Sequence, residues 1–182
     1  MKTKWFVRYE RGGVMKKDTK GTMKVMVDEN QSVNSLVNMG KYDKTNDAVC
    51  SHYFPNPMNP KKEEREMKLF FFNERRGRTT TEQIIAEMDK EGYRPATIHE
   101  ILALGIAYPD KKDLGTDEYG LCVYAIGSAT TAVTGNSSMV FLYWDCYGKY
   151  YAKRGLGLEG KENLDKWGYV HLKDASYLGV SK

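Results

Sequence analysis

The chain has 182 residues, 41% of them hydrophobic and 29% charged, with a formal net charge of +4. This is the composition of an ordinary soluble globular protein of single-domain size, with room for one appended subdomain. No apolar run approaches the roughly 18 residues that a bilayer span requires. The opening Trp5-Phe6-Val7 is broken at Arg8 and Glu10, too soon for a signal peptide, so a cytoplasmic protein with no membrane partner is expected.

The charge is unevenly spread. Residues 1–68 hold 14 Lys+Arg against 9 Asp+Glu, so any attraction to a polyanion belongs to the N-terminal third. The three cysteines, Cys50, Cys122 and Cys146, have no close pair spacing, and reduced thiols are expected.

In chain order, Trp5–Tyr9 and Thr22–Val27 read as paired strands, the second alternating with Met23, Val25 and Val27 on one face. Between them, Arg11 to Gly21 reads as a loop or a bent hairpin tip. Asp28–Gln31 reads as a turn, Ser32–Met39 as a short helix, and Pro55–Pro60 as irregular chain. Lys61–Glu66 is a mixed-charge exposed segment or linker, and Phe70-Phe71-Phe72 fits a short buried strand.

Two helices are signalled most clearly. Thr79-Thr80-Thr81-Glu82 and Thr97-Ile98-His99-Glu100 both read as Thr-x-x-Glu capping boxes. They predict helices over residues 79–91 and 97–104, the first facing inward through Ile84, Ile85 and Met88, the second through Ile98, Ile101 and Leu102. Gly92 and Gly105 supply the stops.

Leu121–Ile126 and Met139–Trp144 are apolar on both faces, as central covered strands are. Tyr147-Gly148-Lys149 then makes a turn into a strand over Tyr150–Arg154. Tyr169–Lys173 alternates, and Tyr177–Val180 would add an edge.

From residue 69 onward these pieces, in this order, resemble the C-type-lectin-like fold in the form seen in sulfatase-modifying-factor domains and related bacterial lipoprotein domains. Gly92-Tyr93-Arg94-Pro95-Ala96-Thr97-Ile98-His99-Glu100 is similar to the stretch that opens the second helix in those families, with the proline displaced by one position. Ile126–Thr131 is similar to a strand ending in small hydroxyl residues. The Met139–Arg154 hairpin and Gly168-Tyr169-Val170-His171 follow in the family order. The resemblance implies an α+β fold with an N-terminal β-hairpin region, two short helices and a mainly antiparallel sheet. It divides the chain into a basic, β-rich N-terminal subdomain or extension over 1–68 and a C-type-lectin-like domain over 69–182. It implies a bacterial or bacteriophage setting and a scaffold that presents variable binding surfaces.

Departures from the family limit the chemistry. The sulfatase-modifying enzymes hold copper with a close cysteine pair, whereas Cys122 and Cys146 stand far apart on separate strands. Trp144-Asp145-Cys146 offers one carboxylate, too few for a calcium shell of roughly 6–8 oxygens. Cys50-Ser51-His52 lacks two further zinc ligands at a matching spacing, and His99-Glu100 lacks the second histidine of a zinc-protease helix. Gly155-Leu156-Gly157-Leu158-Glu159-Gly160 has the letters of a phosphate loop, but no helix pattern follows it. No nucleophile sits in a recognisable elbow. No catalytic residue, metal or cofactor is assigned.

The aromatic residues carry the functional expectation. Tyr143, Tyr147 and Tyr151 cluster on one hairpin with Lys149, Lys153 and Arg154, and tyrosine and arginine suit an interface or a small-ligand pocket. Alternation makes Tyr143, Tyr147, Lys149, Tyr151 and Lys153 the residues expected outward, with Arg154 added near the irregular strand end, and Val140, Leu142 and Trp144 inward. The leading expectation is a non-catalytic binding protein for a protein or small-molecule partner. The alternative is nucleic-acid binding through Trp5, Tyr9, Lys16, Lys17, Lys20 and Lys24, combining phosphate contacts with base stacking.

Overall fold

Residues 62–66 open the longest strand among the described residues rather than a linker. In the computed structural model, β4 runs from Lys62 to Asn73. The structure describes residues 15–17, 21–73, 80–114, 121–130, 137–146, 152–160 and 175–182. Alternation explains why so charged a stretch can be a strand. Met67 and Leu69 point to one face, Phe70 and Phe72 to the other, and all four are buried. Arg65 shares the face of Met67, while Glu64 is exposed and pairs with Lys24 at 3.3 Å.

The remaining strands are β1 (Met15–Lys17), β2 (Met23–Asp28), β3 (Lys44–Thr45), β5 (Tyr93–Pro95), β6 (Cys122–Thr130), β7 (Ser138–Cys146), β8 (Ala152–Gly160) and β9 (Ala175–Ser181). The helices are α1 (Val33–Gly40), α2 (Thr81–Lys90) and α3 (Ile98–Ala107). Among the described residues the strands form one nine-stranded sheet in the order β1-β4-β9-β6-β7-β8-β3, with β2 also beside β4 and β5 beside β9. The fold is α+β, as expected, but the sheet is mixed: β6 runs parallel to β9, and β3 to β8. The boundary expected after residue 68 falls inside β4, whose partners β1, β2 and β9 belong to the same sheet.

Each face of the sheet has its own core. One is built from Val25, Val27, Met67, Val123, Val140, Leu142 and Leu178 against Val33 and Leu36 of α1 and Ile98, Ile101 and Leu102 of α3. The other is built from Phe70, Phe72, Tyr124, Phe141 and Tyr177 against Ile84 and Met88 of α2. β6 and β7 are central and covered on both sides, as their double-faced apolarity requires. Phe141 lies tilted against Tyr124 at 5.2 Å between ring centroids, and Tyr124 against Tyr177 at 5.6 Å.

Several local expectations shift. The first capping box is one residue late: Thr80 caps α2 and pairs reciprocally with Gln83, at 2.9 and 3.3 Å. Ile85 is exposed, because a step of one residue turns the helix by about 100° away from the Ile84/Met88 stripe. Gly105 does not stop α3, which continues to Ala107. Its missing side chain instead leaves room for the Tyr42 hydroxyl, and a Cβ there would collide with it. Residues 177–180 are no edge either, since β9 lies between β4 and β6. The strands expected at 5–9 and 169–173 lie outside the described residues.

Gly155-Leu156-Gly157-Leu158-Glu159-Gly160 is part of strand β8. Gly155 stands opposite Tyr143 and Gly157 opposite Phe141, and each aromatic ring occupies the place where a Cβ would be. The glycines of this stretch admit rings across the ladder, a known device for pairing glycine in sheets.

Candidate functional site

The most concentrated chemistry in the described residues is a buried charge network where α3 begins. Thr97-x-x-Glu100 starts the helix, and the Glu100 carboxylate turns back to accept the Thr97 N–H at 2.6 Å. Glu100 is fully buried, so its charge needs partners. Arg94 of β5 supplies a two-pronged contact, Nη1 to Oε2 at 3.0 Å and Nη2 to Oε1 at 2.6 Å. Arg65 of β4 donates through Nη1 to Glu100 at 2.7 Å and to Glu29 at 2.7 Å, and through Nε to Glu63 at 2.9 Å. Glu29, just past β2, also accepts the Lys61 N–H at 3.0 Å.

Burial drives the Glu100 carboxyl upward, and the hydrogen bonds from Arg94 and the Thr97 N–H more than reverse it, so its pKa falls below the ordinary 4.5. Glu29 behaves alike, with Arg65 outweighing burial. His99 is buried between these groups. One ring nitrogen meets the Gln31 backbone while Nε2 has no partner, and burial lowers its pKa despite the pull of Glu29. The three carboxylates and two guanidinia spend their hydrogen bonds on one another and on backbone. The network therefore fastens β2, β4, β5 and α3 together, and removing one partner of such a buried pair typically costs about 3–5 kcal/mol.

The start of α3 is also served from outside. β6 breaks register with β7 between Ala125 and Ala129. In this excursion the Gly127 N–H donates to Ala96 at 2.8 Å, and Ser128 Oγ accepts the Ile98 N–H at 3.1 Å. A Cβ on Gly127 would come within 2.7 Å of the Pro95 and Ala96 carbonyl oxygens. The Thr97 hydroxyl makes no hydrogen bond of good geometry.

The expected hairpin surface is corrected at two residues. Tyr143 is only 1% exposed and Arg154 only 8%. Tyr143 points outward from the Val140/Leu142/Trp144 face as alternation requires, but that opposite face is the second core, not solvent. Arg154 starts the described side chains of β8 and turns under the end of α3, donating to the Gly105 carbonyl at 3.1 Å. Val140, Leu142 and Trp144 are inward, as expected. Lys153 has its backbone in β8, while its side chain and all of Tyr147, Lys149 and Tyr151 lie outside the described residues.

Of the basic set, Lys24 is exposed and ion-paired with Glu64. Lys16 and Lys17 lie in β1 opposite Phe72 and Phe71, their side chains not described, and Trp5, Tyr9 and Lys20 lie outside the described residues. Lys62 pairs with Asp28 at 3.2 Å, so acidic neighbours offset part of the local positive charge.

Cys50 is half-buried and Cys122 buried, and neither is part of a disulfide. His52 stacks edge-on against Tyr53 at 4.8 Å. Among the described residues no three His, Cys, Asp or Glu side chains gather as a metal site would require, and no helix is long and apolar enough to cross a membrane. No family model, no curated protein and no solved structure matches the chain.

Proposed function

We propose that the protein is a non-catalytic binding protein of C-type-lectin-like architecture, acting in the cytoplasm on a protein or small-molecule partner. The observation that carries this reading is the β7–β8 ladder, which pairs from Ser138↔Gly160 to Cys146↔Ala152 on a strand buried on both faces. Such a ladder is a firm mount for the segment that joins its ends, and that segment holds Tyr147, Lys149 and Tyr151, followed by Lys153. Aromatic and basic residue types suit recognition of a partner. The proposed architecture rests on the resemblance of Gly92–Glu100, Ile126–Thr131, Met139–Arg154 and Gly168–His171 to motifs of that family. Within Gly92–Glu100, Arg94 and Glu100 are partners, which gives the Gly-aromatic-Arg and Thr-x-x-Glu pieces a shared physical purpose.

The test is capture of partners from a native lysate, with and without nuclease, using the wild-type chain and the Tyr147→Ala/Tyr151→Ala double variant. A nuclease-resistant partner held by the wild type should be weakened by about 2 kcal/mol or more in the variant, the range of aromatic hot spots. Equal capture by a variant that melts normally would exclude the hairpin end. Capture that disappears with nuclease would move the function to nucleic acid.

A further inference from the structure

Strand β2 has one partner among the described residues, β4, which it pairs without a bulge from Met23↔Met67 to Asp28↔Lys62. Just past it, the Glu29 N–H donates to the Lys61 carbonyl at 2.8 Å, so the odd-numbered residues of this strand aim their backbone groups at β4. Successive residues alternate in this respect, and the backbone groups of Lys24, Met26 and Asp28 therefore aim away from β4. The Asp28 carbonyl accepts the Gln31 N–H of the following turn at 3.3 Å. Among the described residues nothing pairs with the outward groups of Lys24 and Met26.

Proteins protect an open edge with proline, a bulge or a very short strand. The far end of the sheet follows that rule, since it closes on β3, which has 2 residues. β2 has 6 residues, no proline and no break in register, and Met26 at its middle is 56% exposed.

The charges on this rim complement themselves. On the solvent face of the β2–β4 pair, Lys24 stands opposite Glu66, Met26 opposite Glu64 and Asp28 opposite Lys62. A second β2 laid antiparallel along the edge and centred on Met26 sets the two Met26 side chains together and each Lys24 against an Asp28. Each outer row across β4, β2 and the strands of the copy then reads Lys62, Asp28, Lys24, Glu66, with the sign alternating at every step. The residues brought opposite are those whose backbone groups aim outward, as a hydrogen-bonded antiparallel pair requires. Sliding the copy by two residues would put Lys24 or Asp28 against Met26 and lose the ion pairs, so the charges select one register.

We propose that the β2 edge joins a second copy of this chain, antiparallel and two-fold symmetric about Met26, to build one continuous sheet across a homodimer. Such a pairing is closed, because each copy consumes the edge it offers. It involves β2 and β4 alone and does not depend on the hairpin end.

The test is sedimentation of the full chain over a range of concentrations, which should show a monomer–dimer equilibrium. Met26→Pro removes an N–H that β4 does not use and should abolish the dimer. Lys24→Glu, a change at an exposed side chain, sets like charges together in both symmetric pairs and should weaken dimerisation about ten-fold. Mixing that variant with Asp28→Lys, which should be weakened by itself, should restore a mixed dimer, because every cross-strand pair is then of opposite sign. The Lys24→Glu arm decides the matter even where Met26→Pro fails to fold. A chain that stays monomeric, or a dimer that either folded variant leaves unchanged, would overturn the proposal. Protection of the Met26 amide from hydrogen exchange that does not vary with concentration would also overturn it, and would give the edge to a segment of the same chain such as residues 5–9.

Discussion

Ser128 Oγ accepts the Ile98 N–H at 3.1 Å, so the first turn of α3 is capped by a strand that follows it by 30 residues. The Thr97 hydroxyl, which a capping box aims at the Glu100 N–H and not at Ile98, makes no hydrogen bond of good geometry, while the Glu100 carboxylate performs the other half of the box.

Ser128→Ala should therefore cost about 1 kcal/mol, the usual worth of an N-cap hydrogen bond. Thr97→Ala should cost clearly less. Urea unfolding of both variants beside the wild type measures this, and the reverse ranking would return the cap to Thr97.

The pH dependence of stability should carry a His99 signature. Its folded pKa lies below the ordinary 6.5, so the unfolded chain takes up the proton first. Stability from this group is complete above 6.5 and declines as pH falls below it. Glu29 and Glu100, whose folded pKa values lie below 4.5, add a second decline only once pH falls through the carboxylate range. His99→Gln should flatten the first limb and leave the second. Chemical denaturation at a series of pH values decides it, and an unaltered first limb would place that proton uptake elsewhere.

Gly157→Ala should destabilise the fold by about 1–3 kcal/mol, the cost of overpacking a filled core. The methyl group would enter the buried Phe141 ring, which also packs against Tyr124 and Tyr143 and has little room to yield. Phe141→Leu in the same chain should recover part of the loss, so thermal melts of the single and double variants form the check.

The two helices around Gly92 were legible because capping and periodicity are local, and β6 and β7 were legible because both of their faces are apolar. Elsewhere the deciding partner is remote. Arg65 sits in a run that looks solvated, and nothing near it in sequence announces Glu100, 35 residues on. The β8 glycines carry the letters of a phosphate loop, and their part in the sheet emerges only with Phe141 and Tyr143 across the ladder. Alternation along β7 correctly separated Tyr143 from Leu142, but it could not say that a second core covers the tyrosine's side. Arg154 carried no local sign that it would turn beneath α3.

The position of β9 bears on how the chain can fold. It separates β4 from β6, so among the described residues no strand pairing joins β4 to the β6–β7–β8 meander until residues 175–181 arrive between them. A nascent chain reaching residue 160 would hold β4 with a bare edge toward the missing strand, and the β6–β7–β8 meander with another. Pairings of this sequence separation form slowly, and exposed strand edges invite association with other chains. Synthesis of this protein should thus pass through a stage that depends on chaperones, relieved when its central strand is inserted.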